Sequence, residues 1–333
     1  MTPRKGQLVK VAEDLYWARF ELPFRLNHIN VYFLESDNGW TIIDCGINDE
    51  NTREHWEQLF LGPLKNINID KIIITHHHPD HVGLAGWFQK EYKVSLWMTR
   101  TAWLTARMLR LDEQEVPPPE TIEFWTQAGM RSDIMEERKS GKPFNFADAV
   151  SALPLGFRRI VDNEEIEIGN RIWKVRVGNG HAPEHATLWS NVDDIVIAGD
   201  QIISSISPNL GVYATEPNAN PVKEWIDTCH KLSGFASDKH LILPGHKLPF
   251  TGLKFRLKQM VENHELALNR LVNFLEKPHT AEECFSILFG KSIQKSEYGL
   301  ALVEAVAHVN YLYLEGTVSR VLDKNGAFRY QAL

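Results

Sequence analysis

Cysteine is scarce in this chain. Cys45, Cys229 and Cys284 are the only three in 333 residues, an odd number and far apart, which excludes a disulfide framework and a zinc knuckle. They read as reduced thiols in a cytoplasmic setting. No apolar run approaches the length needed to cross a bilayer, and the polar start from Met1 to Gln7 does not resemble a signal peptide. Positive charge is also in deficit. The 36 Lys and Arg face 43 Asp and Glu, and the net charge of −7 argues against nonspecific nucleic-acid binding by the molecule as a whole. There is no Gly-x-Ser-x-Gly elbow to suggest a serine nucleophile, no repeat and no low-complexity tract. What is present is a globular composition, 43% hydrophobic and 24% charged, enough for one large α/β domain with an appendage or for two ordinary domains.

Short strands are expected at 8–11, 15–18, 29–34 and 40–44, the last two joined by a hairpin turn through Asp37, Asn38 and Gly39. Residues 51–61 carry Trp56, Leu59 and Phe60 at helical spacing and stop at Gly62-Pro63. Residues 71–75 form a continuous β-branched run, as in a strand buried on both faces, and open α/β sheets bind ligands at the carboxyl ends of such strands. A helix at 82–90 and a strand at 94–98 follow. The period then changes. Helices at 101–111 and 120–138, around Pro117-Pro118-Pro119, make a helical insert of about 100–150. Its apolar residues Trp103, Met108, Phe124, Trp125 and Met130 suit a lid over a substrate pocket. Strands resume at 165–168, 173–177, 186–190, 195–198 and 241–243. From Phe255 onward the pattern is helix (255–276), helix (280–288), helix (298–315) and a terminal hairpin around Asp323–Gly326, the outline of a winged helix. The chain therefore divides into a catalytic domain, 1–254, and a C-terminal domain, 255–333.

Histidine carries the chemistry. Thr75-His76-His77-His78-Pro79-Asp80-His81 is a dense set of metal-ligating side chains after a buried strand; imidazole suits Zn, Fe and Ni, and a carboxylate adds negative charge for a second cation. One three-ligand site cannot use His76, His78, Asp80 and His81 together, so the spacing favours two adjacent ions. Three further segments add a ligand type each at a strand end or in a glycine-rich loop: Gly178-Asn179-Gly180-His181, with His185 four residues on, Ala198-Gly199-Asp200, and Leu243-Pro244-Gly245-His246. Each alone is weak. In this order they are specific.

Together these segments resemble the metallo-β-lactamase superfamily over roughly residues 8–250. Thr75–His81 fits that family's His-x-His-x-Asp-His signature, and Asp44, in Ile42-Ile43-Asp44-Cys45-Gly46, sits at its early Asp-x-Gly. The resemblance implies an αββα sandwich with two divalent ions at one edge, zinc first and iron or manganese as alternatives. His76, His78 and His181 would hold one ion, and Asp80, His81 and His246 the other, with Asp200 bridging both. Asp44 would orient a ligand histidine, and His185 would lie near the site without ligating.

The activity so implied is attack of a metal-bridged hydroxide on the carbonyl of a thioester, ester or lactone, with Asp80, His185 and Asp44 as the catalytic candidates beside the ligands. The alternatives are a phosphodiesterase acting on RNA, a mononuclear iron dioxygenase for a persulfide using the first triad alone, and a metal-binding module without turnover. The tail resembles that of a glyoxalase II-like and thioesterase-like subgroup that also holds endoribonucleases. From Lys254 onward there are ten Lys and Arg against nine Asp and Glu, too even a balance for phosphate binding. A small-molecule substrate is expected rather than nucleic acid or membrane, with the tail as a packing module or a homodimer contact.

Overall fold

The computed structural model describes residues 2–333 and divides into two compact units. The first holds the chain up to Glu113, Phe144–Pro208 and Ala236–Lys254; the second holds Gln114–Pro143, Asn209–Phe235 and Phe255–Leu333. Residues 114–143 and 209–235 thus group with the C-terminal region instead of with the sheets on either side of them.

In the first unit β1 (Val9–Ala12), β2 (Leu15–Glu21), β3 (His28–Ser36), β4 (Gly39–Ile43), β5 (Ile69–Ile73), β6 (Ser95–Met98) and β7 (Arg158–Arg159) form one sheet in sequence order. Pairing is antiparallel from β1 to β4 and parallel from β4 to β7. The switch is forced by connection length, because β3 and β4 join through Asp37 and Asn38 alone, whereas helices such as Glu50–Leu61 and Ala85–Tyr92 carry the later crossovers. A second sheet runs β12-β11-β10-β9-β8, from β8 (Glu165–Ile168), β9 (Arg171–Gly178), β10 (His185–Ser190), β11 (Ile195–Gly199) and β12 (Leu241–Pro244).

The two-residue period of the strands sorts the core. Phe20, Val31, Phe33, Ile42 and Ile72 face a helix-side core with Trp56, Phe88 and Trp103. Their neighbours Leu15, Trp17, Tyr32, Leu34, Ile43 and Ile73 face the opposite way, into a core shared with Ile166, Trp173, Leu188, Ile197 and Leu243 of the second sheet. Two sheets face to face with helices outside are the sandwich expected from the sequence. β3 is buried from His28 to Leu34 without interruption, so polar residues on it must find partners inside the protein.

Three local expectations need correcting. The helix expected at 120–138 is two, Pro119–Gln127 and Ser132–Ser140. Gly129 separates them at φ 78°, where a Cβ would lie 2.5 Å from Thr280. The helix expected at 82–90 is likewise two, Pro79–Val82 and Ala85–Tyr92, with the backbone leaving helical geometry at Leu84 (φ −98°, ψ 7°). The helix Pro221–Ser233 went unread, although Asn220 caps it by accepting from the Lys223 amide and Pro221 occupies its first turn. Within the insert, Trp103 stacks on Phe157 at 4.5 Å in the helix-side core, so it packs instead of lining a pocket. Among the described residues no helix is long and apolar enough to cross a membrane.

The second unit contains the helix Tyr298–Leu314, buried along most of its length, and a hairpin of β13 (Val318–Leu322) and β14 (Phe328–Ala332). Glu304 on that helix is pushed up to about 7 by burial, only partly offset by the Asn209 amide that donates to it at 2.6 Å. A carboxyl raised in the folded state costs nothing while both states are protonated. Its penalty grows as pH rises from the ordinary value near 4.5 and is complete above about 7. Glu304→Gln is therefore expected to raise the urea midpoint relative to the parent at pH 8 but not at pH 4.5. An equal difference at both pH values would contradict this burial account.

Candidate metal centre

Four strand ends deliver the site. β5 ends at Ile73, and the turn that follows carries His76 and His78 before Pro79 starts the short helix bearing Asp80 and His81. Because β11 and β12 are parallel neighbours, with Gly199 opposite Pro244, Asp200 and His246 emerge side by side. The loop between β9 and β10 contributes His181.

All seven residues expected as ligands converge. His76, His78 and His181 form one group whose ligand atoms lie within 4.8 Å of one another; Asp80, His81 and His246 form another, and His76, His81 and Asp200 a third that overlaps both. Asp200 Oδ2 is 3.2 Å from His246 Nε2 and 3.6 Å from His181 Nε2, and its Oδ1 is 3.5 Å from His81 Nε2. Asp80 Oδ2 is 3.2 Å from His246 Nε2 and 3.7 Å from His81 Nε2. Asp200 thus touches members of both triads, whereas Asp80 faces one.

Burial, with neighbouring imidazoles adding to it, holds His76 and His78 well below the ordinary histidine range, so both rings are neutral with lone pairs available. Burial would do the same to His81 and His246. Instead the carboxylates of Asp200 and Asp80 outweigh it, raising His81 well above its usual value and His246 to about 10. The carboxylates thus favour positive charge at this end of the site, a role that divalent cations would take over.

The donor set fits such cations. His81 Nε2 and Asp200 Oδ1 are buried without a hydrogen-bond partner, and a Cβ on Gly245 would collide with Asp200 Oδ1 and sit 2.8 Å from His81 Cε1. A tight cradle of orphaned donors is what a ligand shell looks like when the protein itself supplies nothing to fill it.

The supporting residues set ring directions. Asp44, at φ 63°, a conformation rare outside glycine, accepts from the Thr75 amide (2.8 Å) and hydroxyl (2.9 Å) and lies 2.7 Å from His81 Nδ1. That contact aims His81 Nε2 at Asp80 and Asp200, as carboxylate–histidine pairs do around metals. His185 is fully buried, stacks on His76 at 4.5 Å, and accepts the Asp200 amide at Nε2 (3.1 Å). Its place is beneath the ligands, and Gly199 must be glycine because a Cβ would strike its ring at 2.7 Å.

Other supports were not read from the sequence. The His28 carbonyl accepts from His246 Nδ1 at 2.5 Å; Tyr32 and Asn30 donate to the Pro244 carbonyl at 2.8 and 2.9 Å. The signal was there, in polar residues alternating along a strand otherwise apolar on both faces.

A sequence model described as the metallo-beta-lactamase superfamily matches residues 25–246, and one described as the metallo-beta-lactamase-like C-terminal domain matches 268–333. The chain is 24% identical to the probable metallo-hydrolase YqjP of Bacillus subtilis (strain 168), over 95% of this chain and 97% of that protein. A crystal structure of a beta-lactamase domain protein from Burkholderia ambifaria is similar over 100% of this chain and 96% of that one, with TM-score 0.91 and 33% identity. The metallo-beta-lactamase family protein TTHA1429 of Thermus thermophilus shares the fold, with TM-score 0.81 and 23% identity over 97% of this chain and 100% of that one.

Gly245→Ala tests the cradle. It is expected to lower metal content per folded chain, measured by elemental analysis, with the circular dichroism spectrum retained. Full metal content in that variant would show that the space beside Asp200 is not needed.

Proposed function

Because the chain belongs to the metallo-beta-lactamase superfamily, we propose that it is a binuclear metal-dependent hydrolase acting on the carbonyl of a thioester, ester or lactone. The observation that carries this reading is Asp200, which stands within 3.6 Å of His181 in one triad and within 3.5 Å of His81 and His246 in the other. His76, His78 and His181 would hold one cation, Asp80, His81 and His246 the second, and Asp200 both. Bound zinc ions supply Lewis acidity and make water a competent nucleophile near neutral pH.

The protein's own groups do the rest. Asp80 and Asp200 bring the negative charge that lets two dications sit close together. Asp44 and the His28 carbonyl hold the His81 and His246 rings in place, and His185 fixes the backbone at Asp200. The Asp80 side chain is 18% exposed against 8% for Asp200, so it is the carboxylate more open to an incoming substrate.

We read the C-terminal region as a winged-helix-like packing module and the substrate as a small molecule. A nucleic-acid reader needs an exposed basic helix. The helix Tyr298–Leu314 has neither Lys nor Arg, and eleven of its residues are buried.

The test uses zinc-reconstituted protein against acyl thioesters, lactones, β-lactams and bis-p-nitrophenyl phosphate. Thioester, ester or lactone turnover is expected, lost on chelation and reduced roughly 100-fold or more by Asp200→Ala. A single tightly bound iron per chain, with Asp80→Ala harmless, would overturn the binuclear reading and favour a dioxygenase built on the first triad.

A further inference from the structure

Beyond the ligands, Arg19 and Lys247 bring two positive charges to this edge with no carboxylate paired to them among the described residues. In β2, Leu15 and Trp17 face the inter-sheet core, and the strand period turns Arg19 toward the same face, nearer the end of the strand. Arg19 is paired across the strands with Asn30, whose side-chain amide donates to the Pro244 carbonyl at 2.9 Å and to the Lys247 carbonyl at 2.8 Å. Lys247 directly follows the ligand His246, and its own amide donates to His28 Nε2 at 2.8 Å. His28 in turn anchors His246, with the two rings 6.0 Å apart. Arg19 and Lys247 therefore flank one His28–His246 pair, and the charges of both act on the His28 ring.

Neither side chain has a carboxylate at ion-pair distance among the described residues. The nearby carboxylates Asp80 and Asp200 face His81, His181 and His246 instead. Arg19 is also half-buried, so its guanidinium has lost part of its hydration with no counter-ion in return. Two uncompensated cations beside a centre built for dications raise the local positive potential. That arrangement is unfavourable in isolation and favourable once an anion arrives.

We propose that Arg19 and Lys247 form an anion-recognition subsite at the edge of the metal centre, which selects substrates carrying a carboxylate or phosphate on the acyl or the thiol side of the scissile bond. The proposal rests on the hydrolase reading above and narrows its substrate class. Arg19 offers a planar fork suited to either group, and Lys247 a point charge on a flexible stem.

Three thioesters separate the sources of the anion: butanoyl-N-acetylcysteamine (neutral), succinyl-N-acetylcysteamine (carboxylate on the acyl side) and butanoyl-4′-phosphopantetheine (phosphate on the thiol side). The parent protein is expected to prefer at least one anionic thioester over the neutral one. Arg19→Gln and Lys247→Gln should each reduce that kcat/KM ratio by about 10-fold or more, mainly through KM and with metal content retained, while Arg19→Lys recovers part of it. Which anionic arm responds tells whether the subsite reads the acyl or the thiol portion. No preference in the parent, or a preference untouched by both Gln variants, would overturn the subsite. If the parent turns over no thioester at all, the hydrolase reading loses its thioester branch, and calorimetric titration with succinate decides the subsite separately. Binding weakened about 10-fold in the variants supports it, and equal binding overturns it.

Discussion

A buried carboxylate, Asp200, and a half-buried one, Asp80, facing a ring of imidazoles are the constraint on which this structure turns. Each ionised group taken from water costs several kcal/mol unless an opposite charge meets it. Here Asp200 and Asp80 pull the affinity of His81 and His246 for protons upward against the effect of burial, so the site favours positive charge between them. Cations there would serve that electrostatic need and would also engage the buried nitrogen of His81 and oxygen of Asp200 that nothing in the protein satisfies. The sandwich keeps this group of charges in register, since β5, β11 and β12 end at one edge and each terminus releases a ligand there.

The rigidity of the site comes from neighbours that never touch a substrate. Asp44 turns His81, His28 turns His246, and His185 sits under Asp200. Each contact joins a ligand to a different strand, so the ligand geometry depends on the pairing of the sheets and not on the local turn alone. Gly199 and Gly245 add a steric condition. At both positions a side chain would enter the space used by the site.

The ligands were legible in the sequence because each lies in a short segment at the end of an apolar run, and four such segments in order leave little ambiguity. The supports were not. Asn30, Tyr32 and His28 reach residues more than 200 positions away, and only the strand register brings them together. Helix limits failed for a related reason. Residues 120–138 look like one helix, but Gly129 turns the chain out of it at φ 78°, packed so closely on Thr280, far along the chain, that no side chain fits there. The grouping of 114–143 and 209–235 with the C-terminal region is also set by distant contacts, which hydrophobic period alone does not report.

The central claim is that one site holds two cations, with Asp200 shared between them. Anomalous scattering from a crystal grown with zinc tests it directly. The account predicts two peaks about 3.5–4 Å apart, one among His76, His78 and His181 and one among Asp80, His81 and His246, with Asp200 within ligand distance of both. A single peak, with either triad left without metal at saturating zinc, would contradict it.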